Sequence, residues 1–404
     1  MSDKKSPILL TITAIFLIAC CLRAPIVSLG PLMSMVQNSL HADTTIMGVI
    51  GTIPVLVFAA CSPFAAPLAR RFGFEEVLIG ALLALGFGIL LRTAGLSAAW
   101  LLMGTFLLSI GIAMGNVLVS GVIKRSLPLH VARFTALYSI TMSCTAALSA
   151  AAAVPLAQRI GWQASLNMWL IPVILALVVW ITLRRKLGHQ PVTVLSHKEQ
   201  AVSVWRNKLA WAISVMMGLQ SLLYYTFSAW LPTILSDRGI GADEAGYYAM
   251  LLQIAAIPAI FCVTTFSARL ENPRFLALSV TLLSFIGIAG IWLLPYAIAL
   301  WVFCVGAGVS GTFTLCLLLF IRRTDSIAEA ATLSGMAQTV GYLIAATGPV
   351  GAGWLFAQTQ SWDAGLAIMT LLMLVKCGCG WYCARPISLR EAAGMNKKDK
   401  PEDD

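Results

Sequence analysis

Apolar residues fill this chain in blocks of twenty or more, and short polar stretches between the blocks hold nearly all of its charge. The blocks show no period-two alternation. Reading from one polar stretch to the next predicts helices near 8–36, 45–69, 76–94, 99–123, 132–157, 164–184, 207–235, 244–268, 274–294, 298–321, 328–357 and 362–384. At 1.5 Å per residue each is long enough for a hydrocarbon layer about 30 Å thick. Inside lipid a segment must satisfy its own backbone groups or join a closed barrel, and uniformly apolar runs select the helix. The predicted fold is all-α: a polytopic membrane protein of twelve spans.

Composition agrees, with 59% hydrophobic and 11% charged residues against about 25% charged in soluble chains. The net charge of +10 does not point to nucleic acid, because Lys and Arg sit in short loops where membrane insertion places them. Arg92, Arg159 and Arg238 fall on one side, Arg23 and Lys376 lie within spans, and the rest of the 27 collect on the other side. That bias predicts a cytoplasmic location for both termini, in a bacterial inner membrane. The start, "MSDKKSPILLTITAIFLIAC", imitates a lipoprotein signal, but its apolar run continues towards Met35 and so reads as an uncleaved helix. The ten cysteines fall within predicted helices and read as small core residues; "CGCGWYC" at 377–383 has no His, Asp or Glu beside it. No metal, cofactor, nucleic acid or obligate protein partner is expected, and the protein is taken as a monomer in the bilayer.

The polar stretch at 184–208 parts six spans from six. "GVIKRSLPLHVARFTALYS" (121–139) lies over "LLFIRRTDSIAEAATLSGMAQ" (318–338) at an offset of 198, aligning Ile123 with Ile321, Lys124 with Arg322 and Arg125 with Arg323. "SLGPLM" (28–33) lies over "AWLPTI" (229–234) at an offset of 201. This pattern predicts a duplicated six-helix unit: bundles at 1–184 and 207–384, a linker at 185–206 and a tail at 385–404. Parallel repeats about an axis along the membrane normal describe the major facilitator architecture, with a site near the midplane between the halves.

Five stretches carry a more specific likeness: "LRAPIVSLGPL" (22–32), "APLARRFG" (66–73), "GNVLVSGVIKR" (115–125), "AWLPTIL" (229–235) and "LSGMAQTVGYLIAATGP" (333–349). In these the chain resembles the cyanate permease / 2-nitroimidazole exporter family of the major facilitator superfamily, most nearly its nitroimidazole-exporter branch. The resemblance implies transport of a small linear anion or efflux of a nitro-bearing azole. It also implies a cytoplasmic gate at Arg70, Arg71 and Gly73. There the superfamily's usual Asp is replaced by Arg70, and Phe74 and Glu75 stand for its final basic pair. Glu75 and Glu76 with Arg70 and Arg71 are a possible substitute latch, and Gly73 keeps the turn.

Arg23 stands inside the first span, about 22 Å from the cytoplasmic end of a helix read as continuous, too deep to snorkel. All 17 Asp and Glu fall in loops, tails or helix ends, so no acid within the spans is at hand for it. An arginine at such depth faces a cavity or a partner. One reading makes it the anchor for an anionic or oxygen-rich substrate, through its forked donors. The other gives it a positioning role, donating to carbonyls around Pro25 or Pro31. Residues four apart share a helix face, and this sorts Gln220, Tyr224 and Ser228 in helix 7, Ser334, Gln338 and Tyr342 in helix 11, and Asn116 and Ser120 in helix 4, while helix 5 offers Phe134, Tyr138, Thr141 and Met142. Arg23, Asn116, Tyr138, Gln220, Tyr224, Gln338 and Tyr342 are the candidate substrate residues; the plainer reading of each polar one after Arg23 is an interhelical hydrogen bond. Lys376 reads as a lysine snorkelling to the cytoplasmic headgroups.

These features predict a secondary transporter working by alternating access. No phosphate-binding Gly-x4-Gly-Lys-Ser/Thr loop is present to use ATP, and the four histidines lie in loops without a catalytic constellation, so an enzyme is not expected. Proton coupling through Asp43, Asp237 or Glu329, a protonated cargo, exchange and facilitated diffusion all stay open. The alternative is an anion channel or facilitative uniporter with Arg23 as its selectivity element.

Overall fold

The computed structural model describes residues 5–95, 97–127, 130–187, 204–270, 272–324 and 327–392. Helix is the dominant element, and among the described residues twelve helical spans are long and apolar enough to cross a membrane. The first is not one helix. It runs as α1 (Lys5–Leu22), α2 (Ala24–Val27) and α3 (Leu29–Leu40), so the continuous helix expected over 8–36 is corrected. Pro25 is the physical reason: it has no N–H to donate and its ring crowds the preceding turn, while its fixed φ suits the first turn of a new helix. Arg23 stands at the break with φ −118° and ψ −40°, and its carbonyl accepts from the amides of Ile26 at 3.1 Å and Val27 at 3.0 Å.

Six spans complete the order as far as the expected linker, counting the first: α4 (Thr44–Phe72), α5 (Phe74–Leu91), α6 (Ala98–Ser126), α7 (Val131–Ile160), and the broken sixth, α8 (Trp162–Asn167) with α9 (Leu170–Leu187). Beyond it come α10 (Lys208–Ser236), the eighth span as α11 (Ala242–Ile254) and α12 (Ala256–Arg269), then α13 (Arg274–Leu293), α14 (Ile298–Arg322), α15 (Ile327–Thr359), α16 (Asp363–Cys383) and a short α17 (Leu389–Ala392). Most of the expected linker, 188–203, lies outside the described residues.

Packing divides the chain into two compact units. The first is Met1–Val194 with Tyr225–Ile254 and Gly348–Trp362; the second is Leu195–Tyr224 with Ala255–Thr347 and Asp363–Asp404. Within the first, α5 packs most extensively on α6 and also lies on α9; within the second, α13 packs on α14 and on α16. Counted within each six-span set, these are the same partners.

Glycines set the depth of both packings. A Cβ at Gly88 would stand 2.3 Å from the amide of Leu108, and one at Gly287 would stand 2.7 Å from the carbonyl oxygen of Trp301. Lys376 lies in this second unit, fully buried at 0% exposure, and its Nζ donates to Ser284 Oγ at 2.6 Å. The snorkelling lysine is therefore corrected. Span 12 turns this residue towards span 9, where a serine hydroxyl receives it.

The second unit also clasps its own tail. Asn207 donates to the Leu389 carbonyl at 2.7 Å, the Leu389 amide donates to the Arg323 carbonyl at 2.8 Å, and Arg390 pairs with the buried Glu329 at 2.7 Å. Three helix ends thus meet on α17.

Candidate functional site

The first unit collects the ends of spans that the charge bias assigns to the outside, and there main chain meets main chain. A Cβ on Gly30 would stand 2.1 Å from the carbonyl oxygen of Ser228, and one on Gly48 would stand 2.9 Å from that of Pro349. The first contact brings "SLGPLM" of span 1 against the start of the stretch of span 7 that the repeat aligns with it, and the second joins spans 2 and 11. Pro349 lies inside α15, and the groups around it are taken up by neighbours. Trp230 Nε1 donates to its carbonyl at 2.9 Å, and the Val350 amide donates to Thr52 Oγ1 at 3.1 Å. Proline-broken helices are tolerated in membranes where other spans satisfy the freed groups. Trp362 closes the cluster, stacked on Phe356 with ring centres 4.4 Å apart and donating to Asp237 at 2.7 Å.

Arg92 does the same service for the first span. Near the end of the helix expected at 76–94, it caps α5 and is 1% exposed. Its Nη1 donates to the Pro25 carbonyl at 2.7 Å, and Nη2 reaches the Leu166 carbonyl at 3.4 Å. Arg92 thus serves one carbonyl at the break in span 1, that of Pro25, and one in α8 of span 6, that of Leu166, a role the sequence reading passed over. The signal was present: six residues separate α5 from α6, which leaves the charge little room to escape the bundle. An arginine keeps its charge in proteins, so a full positive charge is held here.

The candidate substrate residues fall into both units. Arg23, Asn116 and Tyr138 belong to the first; Gln220, Tyr224, Gln338 and Tyr342 belong to the second. Arg23 is half-buried, and the Tyr138 hydroxyl donates to Asn116 Oδ1 at 3.4 Å, joining spans 4 and 5. In the second unit Gln220 is buried and donates to the adjacent Ser221 at 2.6 Å. Gln338 donates to Ser334 at 3.0 Å along its own stripe. Tyr224 and Tyr342 are half-buried. Spans 7 and 11 cross closely nearby, since a Cβ on Gly218 would stand 3.2 Å from the Cα of Gly341. The side chain of Ser120 lies outside the described residues.

At the gate stretch, Gly73 has φ 94° and ψ 157° and joins α4 directly to α5. Only glycine takes that conformation without strain. Arg71 is exposed, its guanidinium 5.2 Å from the Phe72 ring centre, and the Arg70 side chain lies outside the described residues. The acids behave differently from the latch considered for them. Glu75 is buried and paired with Arg125 from span 4, and Glu76 meets Arg184 from span 6 at 3.1 Å. Arg125 is one of the two basic residues aligned by the repeat, and its equivalent Arg323 donates to the Cys383 carbonyl at 3.2 Å.

Comparison with known proteins fits this geometry. The Major Facilitator Superfamily model matches residues 15–349. The chain is 38% identical over 369 residues to the 2-nitroimidazole transporter of Escherichia coli, covering 90% of this chain and 93% of that one. It is 35% identical over 387 residues, 95% of each, to the uncharacterized transporter YycB of Bacillus subtilis. Among solved structures it resembles a bacterial homologue of the human lysosomal transporter Spinster, determined inward-facing and unoccupied, with a TM-score of 0.74 at 14% identity, covering 94% of this chain and 98% of that one. Twelve spans, matched packing in the two six-span sets and these likenesses lead to one conclusion: the chain belongs to the Major Facilitator Superfamily, a family of secondary transporters that move small solutes by alternating access.

Proposed function

We propose that the protein carries a small anionic or nitro-bearing compound across the bacterial cytoplasmic membrane, as a monomer with both termini inside, and that Arg23 anchors the cargo. The observation that carries this reading is the 38% identity to a 2-nitroimidazole transporter across 90% of the chain. Arg23 supports it: a half-buried arginine at a helix break is of the side-chain type whose forked donors suit nitro oxygens or a small anion. Asn116, Tyr138, Gln220, Tyr224, Gln338 and Tyr342 supply polar contacts from the six-helix halves 1–184 and 207–384, with 185–206 linking them, 385–404 as tail and Arg70, Arg71 and Gly73 at the cytoplasmic gate.

The acids considered for proton coupling are engaged at helix ends. Asp43 accepts from the Thr45 amide at 3.0 Å, Asp237 holds Trp362 and Glu329 holds Arg390. This favours exchange, or a proton that travels on the cargo.

Counterflow in proteoliposomes tests the proposal, with 2-nitroimidazole and cyanate as cargo and with or without a pH gradient. Saturable, trans-stimulated flux is expected, falling about tenfold or more in Arg23→Ala because a charge-assisted hydrogen bond contributes about 1.5–3 kcal/mol. Flux that rises linearly without saturation favours a channel, and undiminished transport by Arg23→Ala removes the anchor.

A further inference from the structure

A small cavity lies beside the break in span 1, wholly within the first unit. Its volume is about 30 Å³, and Pro25, Gly30, Arg92, Thr105, Tyr225 and Ser228 are among the residues that line it. That is room for one or two water-sized bodies and too little for an azole ring. Three polar atoms around it, Arg92 Nε, Thr105 Oγ1 and Ser228 Oγ, are buried without a hydrogen-bond partner among the described residues. Their residues are 1%, 3% and 8% exposed.

Buried polar groups are nearly always satisfied, and an orphan calls for an explanation. These three have a common character: Arg92 Nε can only donate, and either hydroxyl can donate. The rest of the Arg92 guanidinium is held by neutral carbonyls, and no ion pair to it is present among the described residues. A water molecule would satisfy hydrogen bonds while leaving the charge uncompensated in an apolar setting; an anion answers both needs.

We infer that this cavity is a binding site for one small monovalent anion of halide size, held by Arg92, Thr105 and Ser228. Span 7 supplies Ser228, and the Gly30–Ser228 contact forms one wall. The site is therefore complete only while the outer part of span 7 is packed on span 1, and the bound anion stabilises that packed arrangement. The inference is independent of the cargo assigned above, since it concerns a different arginine and a cavity too small for a nitroimidazole.

The test is thermal unfolding of the purified full-length protein in detergent, in sodium chloride, bromide or gluconate at equal ionic strength. Chloride and bromide are expected to raise the midpoint saturably, by about 2 °C at tenfold excess over Kd. Thr105→Val and Ser228→Ala should each fold and lose that increment. Crystals grown in bromide should show an anomalous peak in the cavity. Equal midpoints in all three salts, an increment kept by both variants, or a cavity without bromide signal would each overturn the inference and leave water as the occupant. No transport is measured, so this result and the counterflow result stand or fall separately.

Discussion

Arg92 donates to the carbonyl oxygen of Pro25 at 2.7 Å, so the residue that ends the third span repairs the break that proline makes in the first. Arg92→Gln shortens the reach and removes the fork. Ser28 Oγ still reaches the Pro25 carbonyl at 3.4 Å, so the cost is that of the lost charge-assisted bond, about 1.5–3 kcal/mol, and the unfolding midpoint in detergent should fall by about 2–4 °C. Arg92→Lys should recover only part of this, because one ammonium cannot span both carbonyls.

Gly30 offers a conformational prediction. A methyl group there would stand 2.1 Å from a main-chain oxygen, that of Ser228, which no rotamer change can relieve. Gly30→Ala should fold, yet lose most transport by holding spans 1 and 7 apart. Labelling of a cysteine placed at Ser228 in the same background should accelerate; unchanged labelling together with normal transport would contradict the close approach.

For Lys376 the sign of the effect is the informative part. Replacing a buried charge by an apolar side chain of similar length is often neutral or stabilising, whereas removing only its partner leaves the charge stranded. Lys376→Met should therefore match or exceed the wild-type midpoint, while Ser284→Ala lowers it. A large loss in Lys376→Met with retained stability in Ser284→Ala would refute the pairing.

Glu75 and Arg125 tie the start of span 3 to the end of span 4. Alanine at either position should destabilise the protein, and the double variant should cost less than the two single effects combined, with a coupling of about 1–2 kcal/mol. Arg125 is 27% exposed, which keeps that figure below the value of a fully buried pair. Additive effects would indicate that the two groups do not interact.

Much of the architecture was legible in the sequence because hydropathy reports where a span lies. The twelve apolar blocks and the aligned basic turns at 124–125 and 322–323 needed no tertiary information. Gly73 was legible too, since a glycine between two long helices signals a turn. The break at Arg23 was hidden because apolar residues continue on both sides of it; Pro25 and Pro31 were the local clue that two helices restart there. Arg92 was passed over and Lys376 misread for a shared reason. Snorkelling and the charge bias are local rules, whereas burial here depends on distant residues: Gly104, where a Cβ would stand 2.2 Å from the Arg92 amide, and Gly308, where one would stand 2.4 Å from Ser284 Oγ. The candidate cargo residues could be assigned to faces by their spacing, but which of them bond within their own helix, as Gln338 does with Ser334, depends on rotamers that spacing does not encode.

The Gly30 and Gly48 contacts shut by the absence of side chains on one face and by bare peptide on the other. Such a joint has no reciprocal fix: a bulkier residue on the glycine side cannot be matched by trimming its opposite number, because there is nothing there to trim. Anyone re-engineering this carrier must leave those two notches as they stand.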